Sequence, residues 1–233
     1  MGRIIAVANQ KGGVGKTTTA INLSSALAEL NQKVLVVDVD PQGNTTSGFG
    51  VDKNELEKTI YEMMLGEYDI TDCIIEETLP NLSVLPANVE LAAAEIELIG
   101  VEEKEYILKK AIAQVRERYD FVIIDCPPSL NMLTVNAMTT ANTVLVPIQC
   151  EYYALEGVVF TMYDARTNLS LQVVENVKNN LNQTIYKTII PRNVRLAEAP
   201  SHGLPINIYD PKSAGAESYQ LLAEEVINRG KED

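Results

Sequence analysis

A chain of 233 residues, 46% of them hydrophobic and with a formal net charge of −13, is long enough for one sizeable α/β domain, expected over residues 1–233. The acidic balance excludes a surface that binds nucleic acid all over. Three scattered cysteines and one histidine exclude a structural zinc site or disulfide framework, and no window approaches about 18 uninterrupted apolar residues, which excludes a membrane-spanning helix. The start, MGRIIAVANQ, lacks the long apolar segment of a signal peptide, and Ala6 stands where a myristoylation pattern wants Ser or Thr. A cytoplasmic protein with no membrane anchor is expected.

In chain order, Arg3–Ala8 is a β-branched, apolar run that opens onto a glycine-rich stretch. From Lys16 to about Leu30, the residues Ala20, Leu23, Leu27 and Leu30 recur at helical spacing. Lys33–Asp38, Leu82–Leu85, Tyr119–Asp125, Thr143–Ile148, Val158–Met162 and Ile185–Ile190 are further strand candidates. Such continuous apolar runs suit strands buried on both faces of a parallel sheet. Helical patterns fill Glu90–Ile99, Glu103–Arg118, Leu133–Ala141, Leu169–Leu181 and Gly215–Asn228. The alternation predicts an α/β fold: a doubly wound, mostly parallel sheet with helices on both faces. One connection breaks the rhythm. Only nine residues, Gln149–Gly157, separate two buried strands, whereas a parallel crossover takes about a dozen or more and usually a helix. The short link predicts strands that are not neighbours, a strand that leaves the sheet or runs antiparallel, or an uncovered sheet face with reduced stability.

Asn9–Thr19 reads NQKGGVGKTTT and sits between a strand and a helix, where a phosphate loop belongs. Gly12, Gly13 and Gly15, with Val14 among them, let backbone N–H groups turn toward phosphates, and the helix from Lys16 adds its positive end. Lys16 is placed to contact the β- and γ-phosphates of ATP; the Thr17 hydroxyl, followed by Thr18, is placed to bind Mg²⁺. The pattern G-x-x-x-x-G-K-[ST] departs at one position, where Gln10 stands for the first glycine. The strand FVIID ends at Asp125, a carboxylate suited to hold Mg²⁺ directly or through water. D-V-D-P-Q puts Asp38 and Asp40 at another strand's end, beside the first βα loop, where open sheets bind ligands. One of the two is expected to orient an attacking water. The loop also holds a second lysine, Lys11, with no evident task within its own subunit.

KGGVGKTT, VVDVDPQGN, FVIIDCPPS, QCEYYALEG, TMYDARTNL and IPRNVRLAEAPSHG together resemble the ParA/Soj chromosome- and plasmid-partitioning ATPases, over nearly the whole chain. These belong to the deviant-Walker-A group of P-loop NTPases that includes MinD and the nitrogenase iron protein. The resemblance implies that Lys11 contacts nucleotide across an ATP-bound homodimer and that Gly12 lies at the tight dimer contact. It implies Lys16 and Thr17 on phosphate and Mg²⁺, Asp125 in the Walker-B role and Asp40 positioning the hydrolytic water. Pro191 and Asn193 match the segment that lines the adenine site. Arg166 and Arg195 match positions for non-specific DNA binding, and a ParB/Spo0J-like centromere-binding protein is the implied partner of a nucleoid-associated ATPase. Against the family pattern, a helix-and-loop segment of roughly twenty to twenty-five residues is absent after Gln149, at the connection that falls short of a normal crossover.

Charge lends the two arginines some independent support. Between Val158 and Lys212 there are six Lys and Arg against four Asp and Glu, a basic stretch in an acidic chain, and arginine's planar fork suits phosphate oxygens. Two other functions are weighed. A MinD-like membrane-associated ATPase needs a basic amphipathic C-terminal helix, whereas the tail here carries Glu217, Glu224, Glu225, Glu232 and Asp233. A hydrolysis-defective interaction protein that still binds nucleotide would follow if the missing segment prevents cycling.

Overall fold

The computed structural model describes residues 2–149, 158–163, Val174 and 185–229. Eight strands form one sheet: β1 (Arg3–Val7), β2 (Val34–Asp38), β3 (Ile75–Leu79), β4 (Leu82–Leu85), β5 (Phe121–Asp125), β6 (Thr143–Gln149), β7 (Val158–Tyr163) and β8 (Ile185–Pro191). Their order is β3-β4-β2-β5-β1-β6-β7-β8. Every pairing is parallel except that of β3 with β4.

The central strands are buried on both faces, as their unbroken apolar runs require. Strand periodicity splits them between two cores. Ile4, Ala6, Leu35, Val37, Val122 and Ile124 face one side. There they meet helices α3 (Ile60–Leu65), α4 (Ile70–Cys73), α5 (Ala94–Glu97), α6 (Ile107–Val115) and α7 (Met132–Thr140). Ile5, Val7, Val34, Val36 and Ile123 face the other side. There α1 (Lys16–Glu29) packs with the C-terminal helix Ala214–Arg229. This is the doubly wound sheet expected from the alternation. Glu225 of the C-terminal helix also accepts bonds from the backbone N–H groups of Lys187 and Thr188, at 2.9 and 3.1 Å. A carboxylate thereby occupies part of the open rim of the outermost strand.

Two helical expectations change. Glu90–Ile99 is not one helix but a 3₁₀ segment, Val89–Ala93, followed by α5. Only Leu91, Ala94 and Leu98 reach the core, while Ile96 and Ile99 are exposed, so the apolar residues never form one stripe. Glu103–Arg118 shortens to α6, flanked by 3₁₀ turns at Lys104–Tyr106 and Arg116–Arg118.

The short connection does not separate its strands. β6 and β7 are hydrogen-bonded neighbours and parallel, with Val146 opposite Val158 and Gln149 opposite Thr161. The expectations of non-adjacent strands, or of a strand that turns antiparallel or leaves the sheet, are therefore corrected. Register supplies the reason. β7 starts level with Val146, so the chain leaving Gln149 returns only about 10 Å along the sheet, whereas residues 150–157 can span up to about 30 Å. The crossover rule assumes a return along a full strand; this one covers about half. Residues 150–157, Arg166 and the predicted helix Leu169–Leu181, apart from Val174, lie outside the described residues.

Candidate functional site

The loop 9–15 joins β1 to α1 at the C-terminal edge of the sheet, beside the ends of β2 and β5. Gly15 begins α1 at φ 88°, a left-handed conformation that glycine adopts without penalty, and no side chain caps the helix. The first turn of α1 also has no acidic residue, so its N-terminus keeps its N–H groups and positive dipole for an anion. The Lys16 side chain is buried and its Nζ donates to the Lys11 carbonyl at 3.1 Å. Burial lowers the Lys16 pKa, opposed by the nearby carboxylates of Asp125 and Asp40.

Asp38 and Asp125 are opposite residues at the ends of β2 and β5, and both are fully buried. The Asp125 carboxylate accepts from the hydroxyls of Thr17 (2.8 Å) and Thr45 (2.7 Å) through Oδ2. Its Oδ1 is buried with no hydrogen-bond partner among the described residues. Both oxygens of Asp38 are occupied. Oδ2 accepts from the Thr46 N–H and hydroxyl, each at 2.8 Å, and Oδ1 from the Asp40 N–H at 3.1 Å. Asp38 therefore braces the turn after β2, whereas Asp40 lines the cleft and accepts from the Gln42 N–H at 2.9 Å. The geometry separates two aspartates that the sequence left equivalent.

Thr45 and Thr46 reach these carboxylates from the short helix α2 (Asn44–Gly48). Its N-cap, Gly43, sits at φ 59°, and a Cβ there would lie 2.6 Å from the Ala87 carbonyl. Only glycine fits that turn.

The cleft has a volume of about 670 Å³. It brings together Gly12, Gly13, Gly15, Lys16, Thr17, Thr18 and Asp40 with Pro191 and Asn193 from the other end of the chain. Asn193 also has a structural task. Its Oδ1 accepts from the Arg195 N–H at 2.8 Å and caps α8 (Val194–Glu198), leaving its amide N–H groups as donors. Val14 is buried, with its side chain outside the cleft lining, and Lys11 is exposed at the rim of the loop. Arg195 is exposed and is not among the residues that line the cleft, with Glu198 at 2.8 Å and Asp210 at 3.5 Å. Sequence reasoning missed Thr45, Thr46, Gln42, Asn44 and Thr161. Gln42 ends the D-P-Q turn and Asn44, Thr45 and Thr46 follow it closely, a signal that was present; Thr161 gave none.

Burial, then mutual repulsion, pushes the Asp125 carboxyl up to about 7; burial raises Asp38 to about 6. The folded chain thus holds protons that the unfolded chain releases near pH 4, so stability falls as pH rises from about 4 through about 7. Asp125→Asn keeps an acceptor for Thr17 and Thr45 and removes the charge. The metal-free variant is expected to melt roughly 5 °C above the parent at pH 8, with the gap narrowing at pH 5. Thermal denaturation at the two pH values checks this; a gap that does not shrink at pH 5 contradicts it.

A family model described as an AAA domain matches residues 2–185. The chain is 51% identical over 253 residues to sporulation initiation inhibitor protein Soj of Bacillus subtilis, covering 99% of this chain and 100% of that one. It is 46% identical over 255 residues to chromosome partitioning protein ParA of Caulobacter vibrioides, covering 99% and 96%. Among solved structures, it resembles cobyrinic acid a,c-diamide synthase from Mycobacterium smegmatis with bound ATP analog and magnesium. That likeness has a TM-score of 0.85 at 35% identity and covers 99% and 96% of the two chains. The alignment with Soj runs over 253 residues against the 233 of this chain, so this chain is the shorter of the two although the match spans both.

Proposed function

Because this chain belongs to the ParA/Soj family of chromosome-partitioning ATPases, we propose that it is an ATP-dependent dimerising switch. In this reading it hydrolyses ATP with Mg²⁺, binds DNA without sequence preference and serves chromosome or plasmid segregation. The observation that carries the reading is the convergence of the glycine-rich loop, Lys16, Thr17 and Asp40 on one cleft, with Asp125 beneath.

In the proposed mechanism the N–H groups at the start of α1 and the Lys16 ammonium hold the phosphates. The Thr17 hydroxyl and Asp125, directly or through water, would hold Mg²⁺; two hard oxygen donors suit that ion, and the Oδ1 of Asp125, which has no hydrogen-bond partner among the described residues, fits the assignment. Bound there, Mg²⁺ would supply positive charge to offset the charge that develops on the phosphate oxygens. Asp40 orients the attacking water from across the cleft. Pro191 and Asn193 line the adenine end.

Dimerisation rests on Gly12 and Lys11. A Cβ at Gly12 meets nothing within 4 Å, and its φ is not in the left-handed region. Neither packing nor backbone within this chain requires glycine there, whereas a second subunit pressed against the loop does. Lys11 reaches the partner's nucleotide in this arrangement, and ATP contacting both subunits favours the dimer by mass action. Lys11→Ala is expected to weaken ATP-dependent dimerisation at least tenfold or so while nucleotide affinity of the monomer stays near the parent's. Sedimentation velocity with and without ATP tests this. A Lys11→Ala chain that dimerises like the parent removes Lys11 from that role, and a parent that stays monomeric with ATP sinks the dimer reading.

For DNA, Arg195 and Arg166 are the proposed phosphate contacts. A DNA phosphate must displace Glu198 and Asp210 from the Arg195 guanidinium, since both carboxylates already face it. A ParB/Spo0J-like protein is the proposed stimulator of hydrolysis in a cytoplasmic, nucleoid-associated cycle. Among the described residues no helix is long and apolar enough to cross a membrane. The C-terminal helix packs on α1 and β8 and carries Glu217, Glu224 and Glu225, which favours this reading over a membrane switch.

A further inference from the structure

β6 and β7 hold the phosphate loop by two hydrogen bonds that the mechanism above does not use. From the loop, the Asn9 side chain donates to the Pro147 carbonyl of β6 at 2.9 Å, and its Oδ1 accepts from the Lys11 N–H at 3.0 Å. From β7, the Thr161 hydroxyl donates to the Val14 carbonyl at 3.0 Å. Thr161 is buried, as is Val14, so this carbonyl is not left to water. A second acceptor, the Ile148 carbonyl, lies farther off at 3.5 Å; the single hydroxyl proton favours Val14.

We infer that Thr161 is a positioning residue for nucleotide binding, acting through the Val14–Gly15 peptide. No peptide bond in the described residues is cis. In a planar trans peptide the carbonyl of one residue and the N–H of the next point in opposite directions. Fixing the Val14 carbonyl on β7 therefore fixes the direction of the Gly15 N–H. That N–H belongs to Gly15, the N-cap of α1 and a residue that lines the cleft. Glycine is the residue least able to hold its own backbone direction, so a loop with glycines at 12, 13 and 15 needs an external tether. The register that sets Thr161 opposite Gln149 brings the hydroxyl to the loop. The strand pair reached through the shortened connection thereby acquires a part in positioning the phosphate loop.

This inference rests on the loop's being the phosphate site. Its test compares Thr161→Val, which keeps the shape and removes the hydroxyl, with Thr161→Ser, which keeps the hydroxyl. Thr140→Val serves as control. Its hydroxyl is also buried, donates to the Asn136 carbonyl at 2.7 Å, and does not line the cleft. Fluorescent Mg-ATP titration and steady-state turnover are read on each full chain. Thr161→Val is expected to raise the Kd and the KM for ATP about tenfold, the scale of one buried carbonyl left without its donor. Turnover at saturation stays near the parent's, the pattern of uniform binding. Thr161→Ser stays within about twofold, and Thr140→Val leaves both constants unchanged. If the valine variant does not fold in a thermal melt, Thr161→Ala takes its place with the same expectation. Parent-like affinity in the variants lacking the hydroxyl overturns the inference, as does a serine variant as weak as they are or an equal loss in Thr140→Val. A parent chain that binds no ATP overturns the phosphate-site reading and this inference together.

Discussion

Lys16→Ala will abolish ATP binding at concentrations that saturate the parent chain. The lysine is held at the floor of the cleft, buried, with its Nζ on the Lys11 carbonyl and flanked by Asp125 and Asp40. Against a phosphate pair its ammonium makes charge-assisted hydrogen bonds in a partly desolvated setting. Two such bonds contribute on the order of 3–5 kcal/mol, a factor of about 10²–10⁴ in Kd. The loss goes further than the missing contacts. Without the ammonium, two carboxylates face the incoming triphosphate unopposed, so the site turns from attractive to repulsive. Isothermal titration with Mg-ATP, beside a melt to show that the variant is folded, checks the expectation. Binding within tenfold or so of the parent means that the phosphates lie elsewhere.

Asp40→Ala will retain ATP and stop turnover. Asp40 lines the cleft and its carboxylate accepts from the Gln42 N–H in a local turn, so removal of the side chain leaves the phosphate loop intact. Asp38 cannot take its place, because Thr46 and the Asp40 N–H occupy both of its oxygens. A carboxylate that positions water and accepts its proton is worth about 10²–10⁴ in rate. The expected result is a fall in kcat of that size with Kd for ATP changed by less than about threefold, since the residue acts on the water and not on the ground-state nucleotide. Single-turnover hydrolysis on a preformed ATP complex separates the two quantities. Retained hydrolysis in Asp40→Ala removes the residue from the water-positioning role.

The main architecture was legible because its physics is local. Runs such as VLVVD and FVIID are apolar throughout, which only a sheet covered on both faces accommodates. The glycine cluster followed by Lys-Thr marks the turn from strand to helix. What stayed illegible depends on contacts between distant segments. Asp38 and Asp40 differ because Thr46, from the following short helix, folds back onto one and not the other. Thr161 lies 147 positions from Val14, and nothing in TMYD announces its bond to that carbonyl. β3 was missed because IEETL is half polar and pairs antiparallel at the sheet's edge with an irregular register. The link after Gln149 was misjudged because the crossover rule counts residues, whereas the structure depends on where the next strand begins. Arg195 is identified by resemblance and charge, but its carboxylate partners, Glu198 and Asp210, show only in three dimensions.

The short link after Gln149 gives the account its sharpest point of failure. Lys16, Thr17 and Asp40, the residues proposed to act on ATP, line one cleft, yet the chain is shorter than the Soj protein it matches end to end. If the register of β7 makes up for the short connection, the switch should cycle. The measurement is steady-state ATP turnover of this chain with Mg²⁺, alone and with duplex DNA plus a ParB-like protein. The expected result is measurable hydrolysis that the two partners together stimulate. ATP binding without turnover under every condition contradicts it, and makes the chain a nucleotide-binding interaction protein that does not cycle.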